Sequence, residues 1–234
     1  MAERYQTPVV VLLDLYLSNR FETVGLPARN PFKQDMVKGF DKRAKSKPYQ
    51  RFALTADNIS PRALPGQAGG IHTVTGLEHN EGGRPRDDSD THANMPVKRY
   101  EKLKPAVNHP GISITKRFGD SGKVDVGLIT WGSTFGESLA AMLTAREEGI
   151  SCAAMKVVMM SPLPVDAIKA FADDCRVLLV PELNYEGQFA NILTSAVPRE
   201  IHRINQVPGM PMRVEDILAE VRRLAKPKKK RKAA

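Results

Sequence analysis

A chain of 234 residues has room for one or two domains, and 41% hydrophobic with 6% aromatic residues suits a globular α/β protein. No apolar run is long enough to span a membrane, and the two cysteines, Cys152 and Cys175, stand apart with no C-x-x-C pair. That spacing argues against a disulfide framework or a cysteine-bound cluster within the chain; it fits buried free thiols in a reducing cytoplasm. The formal net charge is +9, but Lys226, Lys228, Lys229, Lys230, Arg231 and Lys232 supply six of those charges, and without them +3 remains. The basic character therefore belongs mostly to one tail and is weak support for a nucleic-acid-binding fold.

In chain order, the first signal is Thr7–Leu13, TPVVVLL. Its continuous β-branched and apolar character predicts a strand buried on both faces of a parallel sheet. Asp14 interrupts the run and no small-residue cleavage site follows, so a signal peptide is the poorer reading. No companion strand–helix unit appears in the next hundred residues, which makes this strand read as the last of a domain whose earlier part is missing. Residues 25–72 carry Pro27, Pro31, Pro48, Pro61 and Pro65 with Gly66, Gly69 and Gly70, a density that breaks regular elements. Phe32, Phe40, Tyr49, Phe52 and Leu54 are too many apolar residues for a solvated linker, so an ordered connector draped over a surface is expected.

Thr73–Pro85, TVTGLEHNEGGRP, is the densest polar patch. Glu78, His79, Asn80 and Glu81 precede the glycine pair Gly82 and Gly83, which can turn the backbone. With Asp87, Asp88, Asp90 and His92 nearby, one reading is a metal or acid–base site, but no spacing matches a zinc pattern. The other reading is a set of polar anchors for the connector. Thr91 can cap a helix from about His92 to Leu103, with Pro96 confined to its first turn or a kink.

From Val124 the pattern becomes regular. Strands are expected at Val124–Trp131, Cys152–Val158, Arg176–Val180 and Ile201–Asn205. Helices are expected at Gly132–Gly149, Val165–Asp174 and Glu186–Ser195, with a last amphipathic helix through Val214, Ile217, Leu218, Val221 and Leu224. Thr134 and Glu137 suggest a capping box for the first helix, with Leu139, Met142 and Leu143 as its apolar stripe. Strand–helix alternation at this spacing implies a mostly parallel sheet flanked by helices, joined by right-handed crossovers.

Two turns in this half could hold a ligand. Gly132-Ser-Thr-Phe-Gly136 sits between strand and helix, where backbone N–H groups could hold an anion. It lacks the G-x-G-x-x-G and G-K-[ST] spacings, so a plain turn with a cap is the competing reading. Val180–Gln188 places Glu182, Asn184, Glu186 and Gln188 at the C-terminal sheet edge, where open α/β sheets bind ligands or partners. A polar turn opening a helix explains the same residues. No G-x-S-x-G elbow is present and neither cysteine has an adjacent histidine. The run KPKKKRK fits a nuclear import signal or nucleic-acid patch, or a solvated disordered end.

Seven motifs in order then point to one family: TPVVVLLD, DNISPRALPG, TVTGLEHNEGG, the spacing of His92, Met95, Arg99 and Lys102, LITWGST, the PLP at 162–164, and VPELNYEGQ. Together they resemble the alpha subunit of 2-oxoacid:ferredoxin oxidoreductases, most of all the 2-oxoglutarate type, over nearly the whole chain except the tail. The resemblance implies that residues 1–24 are the final strand and exit of a thiamin-type domain. It makes residues 25–119 an extended connector with a short helix, 120–225 a transketolase C-terminal-like α/β domain, and 226–234 a basic disordered tail. Leu13 stands where the family more often has serine.

The family oxidatively decarboxylates a 2-oxoacid to acyl-CoA with reduction of ferredoxin, in a reversible reaction. The resemblance assigns thiamin diphosphate, Mg2+ and a [4Fe–4S] cluster mainly to partner subunits, with none held by this chain alone. It implies as partners the remaining alpha-subunit part and a beta subunit, with ferredoxin and coenzyme A as substrates of the complex and no membrane. The family's YPITP run and the arginine before its GPSTG run are absent here. The chain is therefore expected to be architectural rather than catalytic. Its interface or motif candidates are Asp14, Arg20, Arg62, Glu78, His79, Asn80, Glu81, Trp131, Gly132, Glu182, Asn184 and Gln188. The alternative is a basic-tailed nucleic-acid or partner-binding protein without catalysis.

Overall fold

A computed structural model describes residues 1–26, 39, 48–109 and 112–226. The expectations for Phe32, Phe40 and the charges of residues 33–47, and for the basic tail beyond Lys226, lie outside the described residues. The chain divides into two compact units. One comprises Met1–Val11 with Thr23–His109, the other Leu12–Glu22 with Pro110–Ala234.

The second unit holds the sheet. Its strands are β1 (Thr115–Gly119), β2 (Val124–Thr130), β3 (Cys152–Val157), β4 (Cys175–Glu182) and β5 (Ile201–Asn205), in the order β1-β3-β2-β4-β5. β2, β3, β4 and β5 pair in parallel, and β1 runs antiparallel to β3 at one edge. The helices are α4 (Thr134–Glu147), α5 (Val165–Asp174), α6 (Gln188–Ala196) and α7 (Val214–Ala225). Alternation sends Val126, Leu128, Cys152, Ala154 and Leu179 into a core shared with α4 and α7. The intervening Ile129, Ala153, Met155, Leu178 and Val180 enter a second core with α5 and α6. Both faces of the sheet are therefore apolar, as an α/β sandwich requires. Gly127 lies where this packing is tightest: a Cβ there would stand 2.2 Å from Cys175 Sγ.

The expected elements from Val124 onward are all present, with ends shifted by a few residues. Three details differ. β1 was not expected; TKRFG carries Lys116 and Arg117, the charged character of an edge strand rather than apolar alternation. The Thr134–Glu137 capping box does not form. Ser133 holds the cap position in a helical conformation, the Thr134 hydroxyl donates to the Trp131 carbonyl at 2.9 Å, and Glu137 Oε2 has no hydrogen-bond partner among the described residues. On α4 the buried stripe is Thr134, Ser138, Ala141, Met142 and Ala145, while Leu143 is exposed, because α4 packs its small residues against the sheet and α7.

In the N-terminal region the expected strand at Thr7–Leu13 is absent. Val9–Leu13 are 51–78% exposed, and no strand of the described residues lies beside them to complete a ladder. Short helices α1 (Ala2–Tyr5) and α2 (Leu15–Ser18) flank the run.

Among its described residues the first unit contains little regular structure beyond α1, α3 (Ser89–Glu101) and a 3-10 helix (Lys104–Asn108). α3 starts three residues earlier than the sequence suggests. Its cap is Asp88, whose Oδ1 accepts from Thr91 N–H at 2.9 Å, so Pro96 falls in the helix interior rather than the first turn.

Candidate functional site

The polar loop Thr73–Pro85 folds into a compact turn built around Asn80. Its Oδ1 accepts from Gly82 N–H at 3.0 Å and Arg84 N–H at 3.1 Å, and its carbonyl accepts from Gly83 N–H at 2.9 Å. Gly83 adopts φ 85°, and a Cβ there would lie 2.0 Å from the Thr73 carbonyl oxygen; Gly82 needs no such freedom. The turn grips the connector twice through Glu81: its carbonyl accepts from Phe52 N–H at 2.9 Å and its carboxylate from Leu54 N–H at 2.7 Å. His79 is buried, its ring 4.1 Å from that of Phe52, with Nδ1 3.0 Å from the Asn80 carbonyl. Glu78 pairs with Arg99 of α3 at 2.7 Å, with His92 Nδ1 at 3.5 Å; the Arg99 guanidinium holds the Glu78 carboxyl below its ordinary range.

These four residues point in different directions, toward the Phe52 ring, the Leu54 backbone, α3 and the turn itself. No group of three potential metal ligands converges anywhere among the described residues. The chemical reading of the loop thus has no geometric support. Glu81 and Glu78 reach the connector and α3, while Asn80 and His79 Nδ1 bond within the turn.

Arg62 in the same unit pairs with Glu3 at 2.7 Å. Beside it lies a cationic cleft that sequence reasoning missed. Lys98 is 7% exposed, and its Nζ donates to the Phe52 carbonyl at 2.6 Å and to Ser60 Oγ at 2.5 Å. Burial, reinforced by Lys102 and Arg51, pushes the Lys98 amine down to about 8. The signal available in the sequence was the i, i+4 pair Lys98 and Lys102 on the helix face that carries Met95, since like charges at that spacing repel.

In the second unit, Trp131, Gly132, Glu182, Asn184 and Gln188 gather at the C-terminal ends of β2 and β4. Trp131 stacks edge-on against Phe189 at 6.2 Å, and Gly132 is exposed with φ 56°. Glu182 is fully buried. Oε1 accepts from Asn184 Nδ2 and from Phe189 N–H, and Oε2 from Ala190 N–H, each at 2.8 Å. The carboxylate thus satisfies the free N–H groups at the start of α6, where the helix dipole favours negative charge. Asn184 Oδ1 accepts the next two, from Gly187 at 2.6 Å and Gln188 at 3.1 Å. Both acceptors of this edge are spent on holding the turn to the helix. Gln188 is exposed at the first position of α6. Asp14 and Arg20 also serve local structure: Asp14 caps α2 through Leu17 N–H at 2.8 Å, and Arg20 lies 3.5 Å from Glu22.

Residues 124–217 match the family model for pyruvate:ferredoxin oxidoreductase core domain II. The 2-oxoacid:ferredoxin oxidoreductase 2 subunit alpha of Aeropyrum pernix is 30% identical over 227 residues, covering 95% of this chain and 35% of that protein. The chain is related to the alpha subunits of 2-oxoacid:ferredoxin oxidoreductases. The 2-oxoglutarate synthase subunit KorA of Methanothermobacter marburgensis is 25% identical, covering 90% of this chain and 58% of its own length. Among solved structures, the 2-oxoglutarate:ferredoxin oxidoreductase of Magnetococcus marinus, with 2-oxoglutarate, coenzyme A and succinyl-CoA bound, matches at 33% identity and a TM-score of 0.76 over 81% of this chain and 32% of that one. The chain thus spans about a third of the length of the Aeropyrum and Magnetococcus relatives.

The residues present do not fit an iron–sulfur cluster, which takes four thiolates. Cys152 and Cys175 are buried, and burial pushes both thiols up to about 12. Cys175 Sγ is further engaged with the Phe171 carbonyl at 3.0 Å.

Proposed function

We propose that the chain is an alpha-subunit component of a thiamin-dependent 2-oxoacid:ferredoxin oxidoreductase, of the 2-oxoglutarate type, and that its own contribution is architectural. The observation that carries this reading is the 33% identity and 0.76 TM-score to the Magnetococcus enzyme across four-fifths of the chain. In this reading residues 1–24 complete a thiamin-type domain, and the exposed run Val9–Leu13 is the apolar surface that its other strands cover. The connector runs from residue 25 to about His109, pinned by the Asn80 turn, and the transketolase C-terminal-like domain begins ahead of residue 120, because β1 (Thr115–Gly119) is already a strand of its sheet. Glu78, His79, Asn80 and Glu81 act as anchors, and Glu182 and Asn184 set the shape of the sheet edge.

Thiamin diphosphate, Mg2+ and the cluster belong to partner subunits, with ferredoxin and coenzyme A as substrates of the assembly in the cytoplasm. The complex converts the 2-oxoacid and coenzyme A to acyl-CoA and carbon dioxide, sending two electrons to ferredoxin.

Anaerobic affinity purification of the tagged chain from its own cells tests this. It should capture an iron–sulfur, thiamin-containing partner, and the captured complex should reduce a viologen dye with 2-oxoglutarate and coenzyme A while the isolated chain does not. Turnover by the isolated chain, or a capture that contains no such partner, overturns the proposal.

A further inference from the structure

Lys98, Lys102 and Arg51 line one cleft of about 420 Å³ within the first unit, together with Phe52, Ser60 and His79. Such a volume is in the range of small-molecule sites. None of the three cations meets a carboxylate among the described residues. Lys98 donates to the Phe52 carbonyl and Ser60 Oγ, Lys102 to the Gln6 carbonyl at 2.7 Å, and Arg51 to Gln6 Oε1 at 2.9 Å. Those acceptors are all neutral. Counting donors, they leave one N–H on Lys98, two on Lys102 and four on Arg51. Arg99 also lines the cleft but, unlike these three, is paired with a carboxylate, that of Glu78.

Clustered, half-buried like charges repel and lose hydration, so without a counter-charge they destabilise the unit that carries them. The electrostatics record this mutual cost. Burial lowers the Lys102 amine first, with Arg51 and Arg99 adding to the effect, and burial likewise lowers Arg51. The nearest acid influencing Lys98 is Glu81, whose carboxylate is committed to Leu54 N–H.

We propose that this cleft binds a small phosphate-class anion, with Arg51, Lys98 and Lys102 as its ligands. Three cations from two separate segments surround a space wider than one carboxylate. A phosphate or pyrophosphate brings two or more negative charges and acceptor oxygens on several sides, and so can meet all three at once. A monovalent or planar carboxylate satisfies one fork of Arg51 and leaves the lysines uncompensated. Phe52, Met95 and Leu103 supply apolar lining beside the cations, and partial burial strengthens each charge-assisted bond.

The test is calorimetric titration of the full 234-residue chain with inorganic pyrophosphate, inorganic phosphate and succinate at matched ionic strength. Saturable one-to-one binding of pyrophosphate or phosphate, at least tenfold tighter than succinate, is expected. Arg51→Gln and Lys102→Gln should each weaken it about tenfold or more, while Arg84→Gln, an exposed cation outside the cleft, leaves it unchanged. Lys102→Gln gives up only a bond to one carbonyl, so it serves if Lys98→Ala fails to fold. Three results overturn the proposal: no saturable phosphate or pyrophosphate binding, succinate binding as tightly, or an equal loss in Arg84→Gln, which would mark diffuse attraction to a basic chain.

Discussion

The two units of this chain reach stability by different means. The second follows the usual rules of an α/β sandwich: alternating strands, apolar helix faces and two cores with fully buried side chains such as Leu128, Ile129, Leu178 and Leu193. Among its described residues the first buries few apolar side chains beyond Tyr5, Met95 and Ala106. It is held instead by side chains that reach main-chain groups across long sequence gaps: Gln6 to Ser60, Tyr49 to Pro61, Glu81 to Leu54, Lys98 to Phe52. A core of the first kind averages over many interchangeable contacts. A scaffold of the second kind depends on particular atoms, so single polar substitutions should act more locally and more specifically there.

The sharpest way to break the contrast is to place a decisive polar contact in the apolar unit. Glu182→Ala strands Phe189 N–H and Ala190 N–H in a dry core and should cost about 3 kcal/mol. Chemical denaturation of the variant should show the loss in the transition of the sheet-bearing unit, with Glu182→Gln recovering part of it. An unchanged midpoint would mean that α6 does not need this cap.

In the first unit, Gly83→Ala forces a left-handed backbone on alanine and drives a methyl into the Thr73 carbonyl. A cost of about 2 kcal/mol or more is expected. Amide exchange should accelerate around Phe52 and Leu54 while β2–β4 keep their protection. Loss of protection in both regions would show that the units unfold as one.

The smallest effect is electrostatic. Bonds from Thr91 N–H, Arg86 and the Thr91 hydroxyl hold the Asp88 carboxyl down to about 2 in the fold, below its ordinary 3.8. The folded value lies below the unfolded one, so this group's stabilisation is complete above about pH 4 and disappears as the pH falls through about 2. Amide exchange in the first turn of α3 should rise over that window, and Asp88→Asn, a neutral cap, should flatten the change.

How far the sequence led differs between the units for the same reason. Strands β2–β5 and helices α4–α7 were readable because burial imposes a period on the residues. β1 was not, since Lys116 and Arg117 at an open edge leave no such period. The run TPVVVLL forms no strand here because strand propensity describes a fit to neighbours, and no strand of the described residues supplies one. In the Asn80 turn the glycines and the Asx pattern were visible, but the partners of Glu78 and Glu81 lie 21 and 27 residues away and follow no spacing rule. Lys98 was hidden because a lysine on a helix ordinarily faces water; only the folded connector over it turns that position inward.

The buried cysteines carry one more consequence. Cys152 and Cys175 are at most 4% exposed, and burial pushes both thiols up to about 12, so at neutral pH they stay protonated. Alkylating reagents and oxidants therefore meet them only when the sheet opens. Each sits at the first residue of a strand, one in β3 and one in β4. The pair is a built-in clock: its labelling rate at rising denaturant reads how often the centre of the sheet comes apart, with no added probe.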